Sequence, residues 1–325
     1  MDTQLTLAQA KTGFLFDRKA TGRSKHTIAA YHNTFSKLEL YIPGDTPLAS
    51  ISRDRLVAFF AWLKDDYVSE PSGFAPRGQI RLSPKSIKNI RTDLAAFWAW
   101  ALEEGYVSEN IVKPIKLARV NDPVIETFTK EEIEALLKAC KNPHWESNQY
   151  ASSQYTTERD RAIVFVLVDA GIRASELVQM TVDDLNLNTN SIKVKGKGGK
   201  ERIVQIGRRT AKALWRSLAP RLQQAKPDDP IFVVDWPADP RPFTRRHLTT
   251  TLKRVGERAG VKVVYAHKFR HTFAITYLRN GGDLLTLQRL MGHATLEMTR
   301  RYAHVADADC IEAHRKASPV DNWRL

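Results

Sequence analysis

Four polar residues near the C-terminus stand at intervals that chemistry could use. In "HKFRHTFAITYLRNGGDLLTLQRLMGHATLEMTRRYAHV", His267 and Arg270 form a His-x-x-Arg pair, His293 follows a glycine, and Tyr302 sits in a basic run. His267, Arg270 and His271 fall at i, i+3 and i+4, so on a helix they share one face. Phe269, Phe273 and Tyr277 fall on another. A helix divided in this way presents its His/Arg face to something. Either helix packing leaves these polar groups incidental, or they converge on a single phosphate. A lone His past a glycine turn is more often structural, and a lone Tyr on a helix is usually core; the joint pattern favours the phosphate.

Two upstream stretches add cations. In "AGIRASEL", Gly171 ends an apolar helix, Arg173 comes two residues later, and Glu176 is one turn on, where it can hold the guanidinium. Taken alone this is a structural Arg–Glu pair, yet a bidentate Arg is also the best side chain for clamping a phosphate. In "VKGKGGKER", Lys195, Lys197 and Lys200 lie on or beside a glycine turn. They make loose phosphate contacts, or one of them is carried into a site on a mobile finger. A Lys donates a proton more readily when neighbouring cations lower its pKa.

The elements that must position these groups are mostly helical. "SKHTIAAYHNTFSKLELYI" starts at Ser24 as N-cap and spaces Ile28, Tyr31, Phe35 and Leu38 at helical intervals. "SRDRLVAFFAWLKDDY" follows, then a helix with Ser83 as N-cap and Pro84 at its first position, running to a stop near Gly105. "SEPSGFAPRGQIRLS" between them is a loop. A proline-bearing linker, residues 116–126, separates a helical unit (1–115) from a second unit (127–325). The second opens with a capping box, Thr129 and Glu132, and then has a polar, loop-like insertion at 141–157. "SIKVKG" and "ERIVQIG" alternate and turn through glycines, which predicts a β-hairpin. Helices follow at about 208–219, 244–260, 267–280, 283–291 and 295–304, with Thr295 placed to cap the one that carries Tyr302. The fold class is mainly α with a small antiparallel β-sheet.

Composition narrows the partner. The 325 residues hold 50 Lys and Arg against 36 Asp and Glu, a net charge of +14, with 42% hydrophobic residues. That excess favours a polyanion, most simply nucleic acid, and the apolar content excludes a disordered chain. Cys140 and Cys310 make neither a disulfide framework nor a zinc site. No run reaches membrane-spanning length and the N-terminus lacks a signal-peptide pattern, so a cytoplasmic protein is expected, without membrane contact. Two helices offer basic faces for DNA: Lys85, Lys88 and Arg91 in the first unit, and Arg245, Arg246 and Lys253, lying with Thr249 opposite the packed Leu248, Leu252, Val255 and Ala259, in the second.

The ordered set "AGIRASEL", "KGKGGKERIV", "HKFRHTFAITYL" and "LMGHATLEMTRRYAHV" closely resembles the tyrosine recombinase, or phage integrase, family, which includes Xer-type recombinases and integrases of mobile elements. The likeness covers about 127–325; the first unit resembles the family's helical, SAM-like core-binding domain more weakly. It implies a clamp of two domains around DNA. It further implies that Arg173, Lys197, His267, Arg270, His293 and Tyr302 are catalytic, with Tyr302 the nucleophile, Lys197 the hairpin lysine and Glu176 a supporting acidic residue. Phe269 departs from the usual Leu. The implied activity is site-specific recombination (DNA integration) through a 3′-phosphotyrosyl intermediate and a Holliday junction. The implied partner is double-stranded DNA with inverted-repeat half-sites, and the implied assembly a tetramer joined through the C-terminal tail.

The residue set suits that reaction. The phosphoryl transition state carries charge on its non-bridging oxygens, which two arginines and a histidine can stabilise. A free phenol of pKa about 10 is only roughly one part in a thousand ionised at neutral pH, so a base such as His267 must promote loss of its proton. The 5′ oxygen needs a proton to leave, the implied role of Lys197. The phosphotyrosyl bond is close in energy to the bond broken, so rejoining needs no ATP. The sequence holds no phosphate-binding Gly-x-x-x-x-Gly-Lys-Ser/Thr loop and no carboxylate cluster suited to two Mg²⁺ ions, so neither cofactor nor metal is expected. Type IB topoisomerase-like relaxation and a non-enzymatic DNA-binding module of the same fold are the rival readings.

Overall fold

The computed structural model describes residues 5–69, 80–118, 124–141, 150–196, 199–306, 318 and 320. Two units follow from its packing, Met1–Pro123 and Val124–Leu325.

The first unit holds four α-helices: α1 (Leu7–Ala20), α2 (Lys25–Glu39), α3 (Arg53–Asp65) and α4 (Pro84–Glu103). Ser24, Ser52 and Ser83 each cap the next helix by accepting a backbone N–H three residues on, which satisfies an otherwise orphaned donor. α1 is not among the helices expected from sequence. Its exposed Phe16, beside buried Phe14 and Leu15, blurs the apolar period, although Thr6 and Gln9 form a full capping box. Phe14 is the hub of the core, edge-on to Tyr31 at 4.9 Å and to Phe97 at 5.4 Å. Burying each such ring stabilises the unit by about 2–3 kcal/mol. A short strand pair, β1 (Val68–Ser69) with β2 (Ile80–Arg81), closes antiparallel; residues 70–79 of the expected loop lie outside the described residues.

The second unit begins with α5 (Lys130–Ala139), capped as expected by Thr129 and Glu132. α6 (Tyr150–Ala170) starts well before the helix expected there. Residues 150–157 are therefore helical rather than loop-like, and 142–149 lie outside the described residues. The polar look of this turn arises because it buries polar side chains: Tyr155 and Thr157 are inside, and the Tyr155 hydroxyl accepts from the Val233 N–H at 3.2 Å. α7 (Ala174–Val178) leads to β3 (Leu185–Asn186), β4 (Ser191–Lys195) and β5 (Glu201–Gln205), a three-stranded antiparallel sheet in that order. Cross-strand pairs include Ile192 with Val204 and Val194 with Arg202. After the sheet come α8 (Arg208–Leu218), the strand pair β6 (Val233–Val234) and β7 (Arg241–Pro242), and α9 (Arg245–Ala259). α10 (Ala266–Arg279), α11 (Leu284–Met291) and α12 (Glu297–Ala306) close the described chain, apart from residues 318 and 320. Apolar α6 lies at the centre, packed against α8 and α10, and α12 packs against α10. Among the described residues no helix is long and apolar enough to cross a membrane.

Candidate active site

Gly171 fixes the first piece of the site. It terminates α6 at φ +57°, and a Cβ there would lie 2.2 Å from the Phe273 ring. Only glycine meets both demands. Its carbonyl is thereby turned towards α10, where it accepts from Arg270 Nη1 at 2.6 Å. Arg270 Nη2 donates to the Met291 carbonyl at 2.6 Å, one of the carbonyls that the end of α11 leaves without a helical partner. The side chain is only 1% exposed. Burial, and then the neighbouring Arg173, lower its pKa to about 10, so it stays cationic at neutral pH. A guanidinium carries five N–H donors, so two carbonyls do not exhaust it.

Arg173 stands at the N-cap of α7 and Glu176 at its third position, closing a turn in which the Glu176 Oε2 accepts the Arg173 N–H at 2.8 Å. Arg173 Nη1 reaches Glu176 Oε1 at 2.8 Å, and Nη2 reaches the Gly292 carbonyl at 2.9 Å. A second arginine, Arg202 of β5, bonds both oxygens of the same carboxylate at 3.0 and 2.9 Å. Burial pushes the Glu176 carboxyl up, but the bonds from Arg202 and Arg173 outweigh it and hold it below its ordinary value. Of the two arginines, Arg173 keeps 32% of its side chain exposed and Arg202 only 14%. Arg173 is thus the more accessible to a phosphate.

Tyr302 packs against α10 among Ala274, Ile275, Leu287 and Met291. Its hydroxyl lies 2.9 Å from Nδ1 of His271. His267 stands edge-on to His271, ring centres 4.5 Å apart, so it is the second imidazole from the phenol. The His293 ring lies nearly parallel to Tyr302, with centres 6.3 Å apart, and its Nδ1 pairs with Thr299 of α12 at 2.8 Å. Burial raises the Tyr302 pKa, against the pull of Arg270, Arg301 and Arg173. The phenol is therefore neutral at pH 7, and a His271 with a bare Nδ1 can accept its hydrogen.

The site thus gathers Arg173, Glu176, Arg270 and His293 around the end of α11, with His267 and Tyr302 on the adjoining α10–α12 face. Lys197 lies outside the described residues. Arg202 and Thr299 belong to the same network and were not expected to; His271, which the spacing put on the face of His267 and Arg270, had been given no role. The signal for Arg202 was a charge at an inward strand position, two residues before buried Val204. For His271 it was the i+4 spacing from His267. Among the DNA-facing candidates, Lys85, Lys88, Arg245, Arg246 and Lys253 are exposed. Arg91 instead donates to the Ile115 and Lys113 carbonyls at 2.7 and 2.6 Å, and Lys253 lies 3.8 Å from Glu257.

The histidines set an acid limit on stability. Burial, followed by neighbouring charged groups, lowers both His271 and His293 to about 4, against an ordinary value of 6.5. Between roughly pH 6.5 and 4 the unfolded chain binds protons that the folded chain does not, so stability falls as pH drops through that window. The thermal midpoint should fall by roughly 3–6 °C between pH 7 and 5, and less steeply in His271→Gln. An identical slope in that variant, followed by circular dichroism, contradicts the assignment.

A family model described as the phage integrase family matches residues 126–309. Tyrosine recombinase XerC of Staphylococcus carnosus (strain TM300) is 30% identical over 311 residues, covering 91% of this chain and 92% of that protein. Tyrosine recombinase XerD of Staphylococcus haemolyticus (strain JCSC1435) is 28% identical over 303 residues, covering 92% and 94%. In fold, the chain resembles the XerH site-specific recombinase in its post-cleavage complex with palindromic difH substrate. That likeness has a TM-score of 0.68 at 20% identity, over 100% of this chain and 92% of that one. The chain belongs to the phage integrase family, the tyrosine recombinases, and is a site-specific recombinase.

Proposed function

We propose that this recombinase cuts double-stranded DNA with the Tyr302 hydroxyl and rejoins it to a different strand. Attack at the scissile phosphorus forms the 3′-phosphotyrosyl bond and breaks the bond to the 5′ oxygen. The phenol proton passes to the His271–His267 pair, and the 5′ oxygen leaves as a hydroxyl with a proton from Lys197. Arg173, Arg270 and His293 face the non-bridging oxygens, where charge builds up. Attack by another strand's 5′-hydroxyl reverses these steps and releases Tyr302; one such exchange on each strand pair passes through a Holliday junction. The observation that carries this reading is convergence: residues far apart in sequence meet around the Gly171, Met291 and Gly292 carbonyls.

The basic faces of α4 and α9 give each unit a surface for phosphates, so both units hold the DNA, as a clamp, over inverted-repeat half-sites. The tail beyond Ala306 joins neighbouring protomers into a tetramer. Of that tail only residues 318 and 320 are described; Cys310, Ile311 and Trp323, the apolar residues expected to dock, lie outside them. Ser318 is buried, which favours the alternative that part of the tail packs on its own unit. Two duplexes of distinct length carrying the site should yield recombinant lengths without added nucleotide. Relaxation of supercoiled DNA with no recombinant product would favour a topoisomerase. Truncation after Ala306 should spare single half-site binding and abolish cooperative binding to two; undiminished cooperativity removes the tail from the assembly.

A further inference from the structure

Arg202 takes no part in the chemistry above, yet its guanidinium makes three hydrogen bonds within the site. The strand alternation of β5 turns it inward, on the face of Val204, while its neighbours Glu201 and Ile203 are exposed. Its Nε donates to the Leu290 carbonyl at 2.8 Å, and its two terminal nitrogens bond the two Glu176 oxygens. At Gly292, the left-handed residue that ends α11, a Cβ would stand 3.0 Å from Arg202 Nη1, tighter than ordinary contact, so the guanidinium lies close against this backbone. One guanidinium therefore joins the hairpin, the Arg173 turn and the end of α11.

The charge count gives this junction a consequence. Arg173 and Glu176 alone, one positive and one negative group 2.8 Å apart, make a neutral pair. With Arg202 the group holds two positive charges and one negative, which leaves one positive. The carboxylate is only 3% exposed, so water screens it little. An Arg173 neutralised by its own buried carboxylate would stabilise an anionic transition state poorly.

We propose that Arg202 is a positioning residue that shares the Glu176 charge, so that Arg173 meets the scissile phosphate as an effective cation. The inference rests on the reading of Arg173 as a phosphate clamp. A purely structural Arg–Glu–Arg crosslink and a charge-sharing one predict opposite outcomes when the carboxylate is also removed. Loss of both Arg202 and Glu176 breaks more structure but restores the positive charge of Arg173.

The test is single-turnover formation of the covalent DNA adduct on a nicked site at saturating protein. Arg202→Gln should slow it by roughly 10- to 100-fold, with DNA affinity within about threefold of wild type. Adding Glu176→Gln to Arg202→Gln should regain at least about fivefold over Arg202→Gln alone, because the net charge returns to one positive. Arg202→Lys keeps the charge and should stay within about fivefold of wild type; it carries the test if Arg202→Gln unfolds. A double variant as slow as Arg202→Gln, an Arg202→Lys as slow as Arg202→Gln or slowed more than about tenfold, or an undiminished Arg202→Gln, each overturns charge sharing. A wild-type chain that forms no adduct overturns instead the Tyr302 reading beneath it.

Discussion

Tyr302→Phe is expected to bind DNA as the wild type does and to form no covalent complex. The change removes one oxygen from a buried ring. The apolar contacts of that ring with Ala274, Ile275, Leu287 and Met291 stay in place, as does its parallel arrangement with His293. What is lost in the fold is one hydrogen bond, that between the hydroxyl and His271 Nδ1. Such a bond is worth about 1 kcal/mol net, and a partner left unpaired costs about 1–3 kcal/mol, so the variant remains folded. The chemical loss is of another order, because no nucleophile is left to form the ester. A denaturing gel after incubation with nicked DNA reads the outcome directly. An adduct of undiminished yield in the variant would falsify the assignment of Tyr302.

Lys197→Ala should slow cleavage by about 10²–10⁴-fold, and a sulfur in place of the bridging 5′ oxygen should restore it. The magnitude is that of a general acid, roughly 3–5 kcal/mol of barrier. Rate alone does not separate a lost proton donor from misplaced DNA. Sulfur does, because a thiolate leaves without a proton. Arg173→Ala and Arg270→Ala should gain nothing from it, since their charges serve the non-bridging oxygens. The neighbouring lysines are the competitors. Lys195 lies 3.4 Å from Asp184 Oδ1, so an ion pair already engages it at the end of β4. Lys200 is exposed, and its carbonyl closes the turn by accepting from the Gly196 N–H at 2.7 Å. Sulfur rescue of Lys195→Ala or Lys200→Ala with Lys197→Ala still inactive moves the role to that lysine. Rescue of none moves it to a histidine or a water.

What sequence reveals here is local. Ser24, Ser83 and Thr129 mark helix starts because a capping oxygen and the N–H it serves lie three residues apart. The hairpin is legible because its glycines and alternating apolar residues suffice to define it, and the mainly α fold with a small sheet followed from these signals. The extent of α6 was not legible, since its first turns bury Tyr155, Thr157, Arg159 and Asp160 where apolar residues are usual. Arg159 and Asp160 compensate one another at 2.7 Å, a pairing that periodicity does not reveal. Within the site, the i, i+3, i+4 spacing placed His267, Arg270 and His271 on one face. Which histidine meets the phenol depends on how α12 lies across α10, a tertiary relation with no local signature. The same holds for Arg202, whose partners are 26 and 88 residues away in the chain.

The central claim is tested most directly by locating the DNA on the protein. Wild-type protein trapped on nicked DNA, digested with nuclease and then with trypsin, should yield the peptide from Tyr302 to Arg315, which follows Arg301 in the sequence. Mass spectrometry should find the nucleotide remnant on the Tyr302 oxygen, joined to the 3′ side of the break, with the released strand ending in a 5′-hydroxyl. A remnant on any other residue, or a linkage to the 5′ side, contradicts the account.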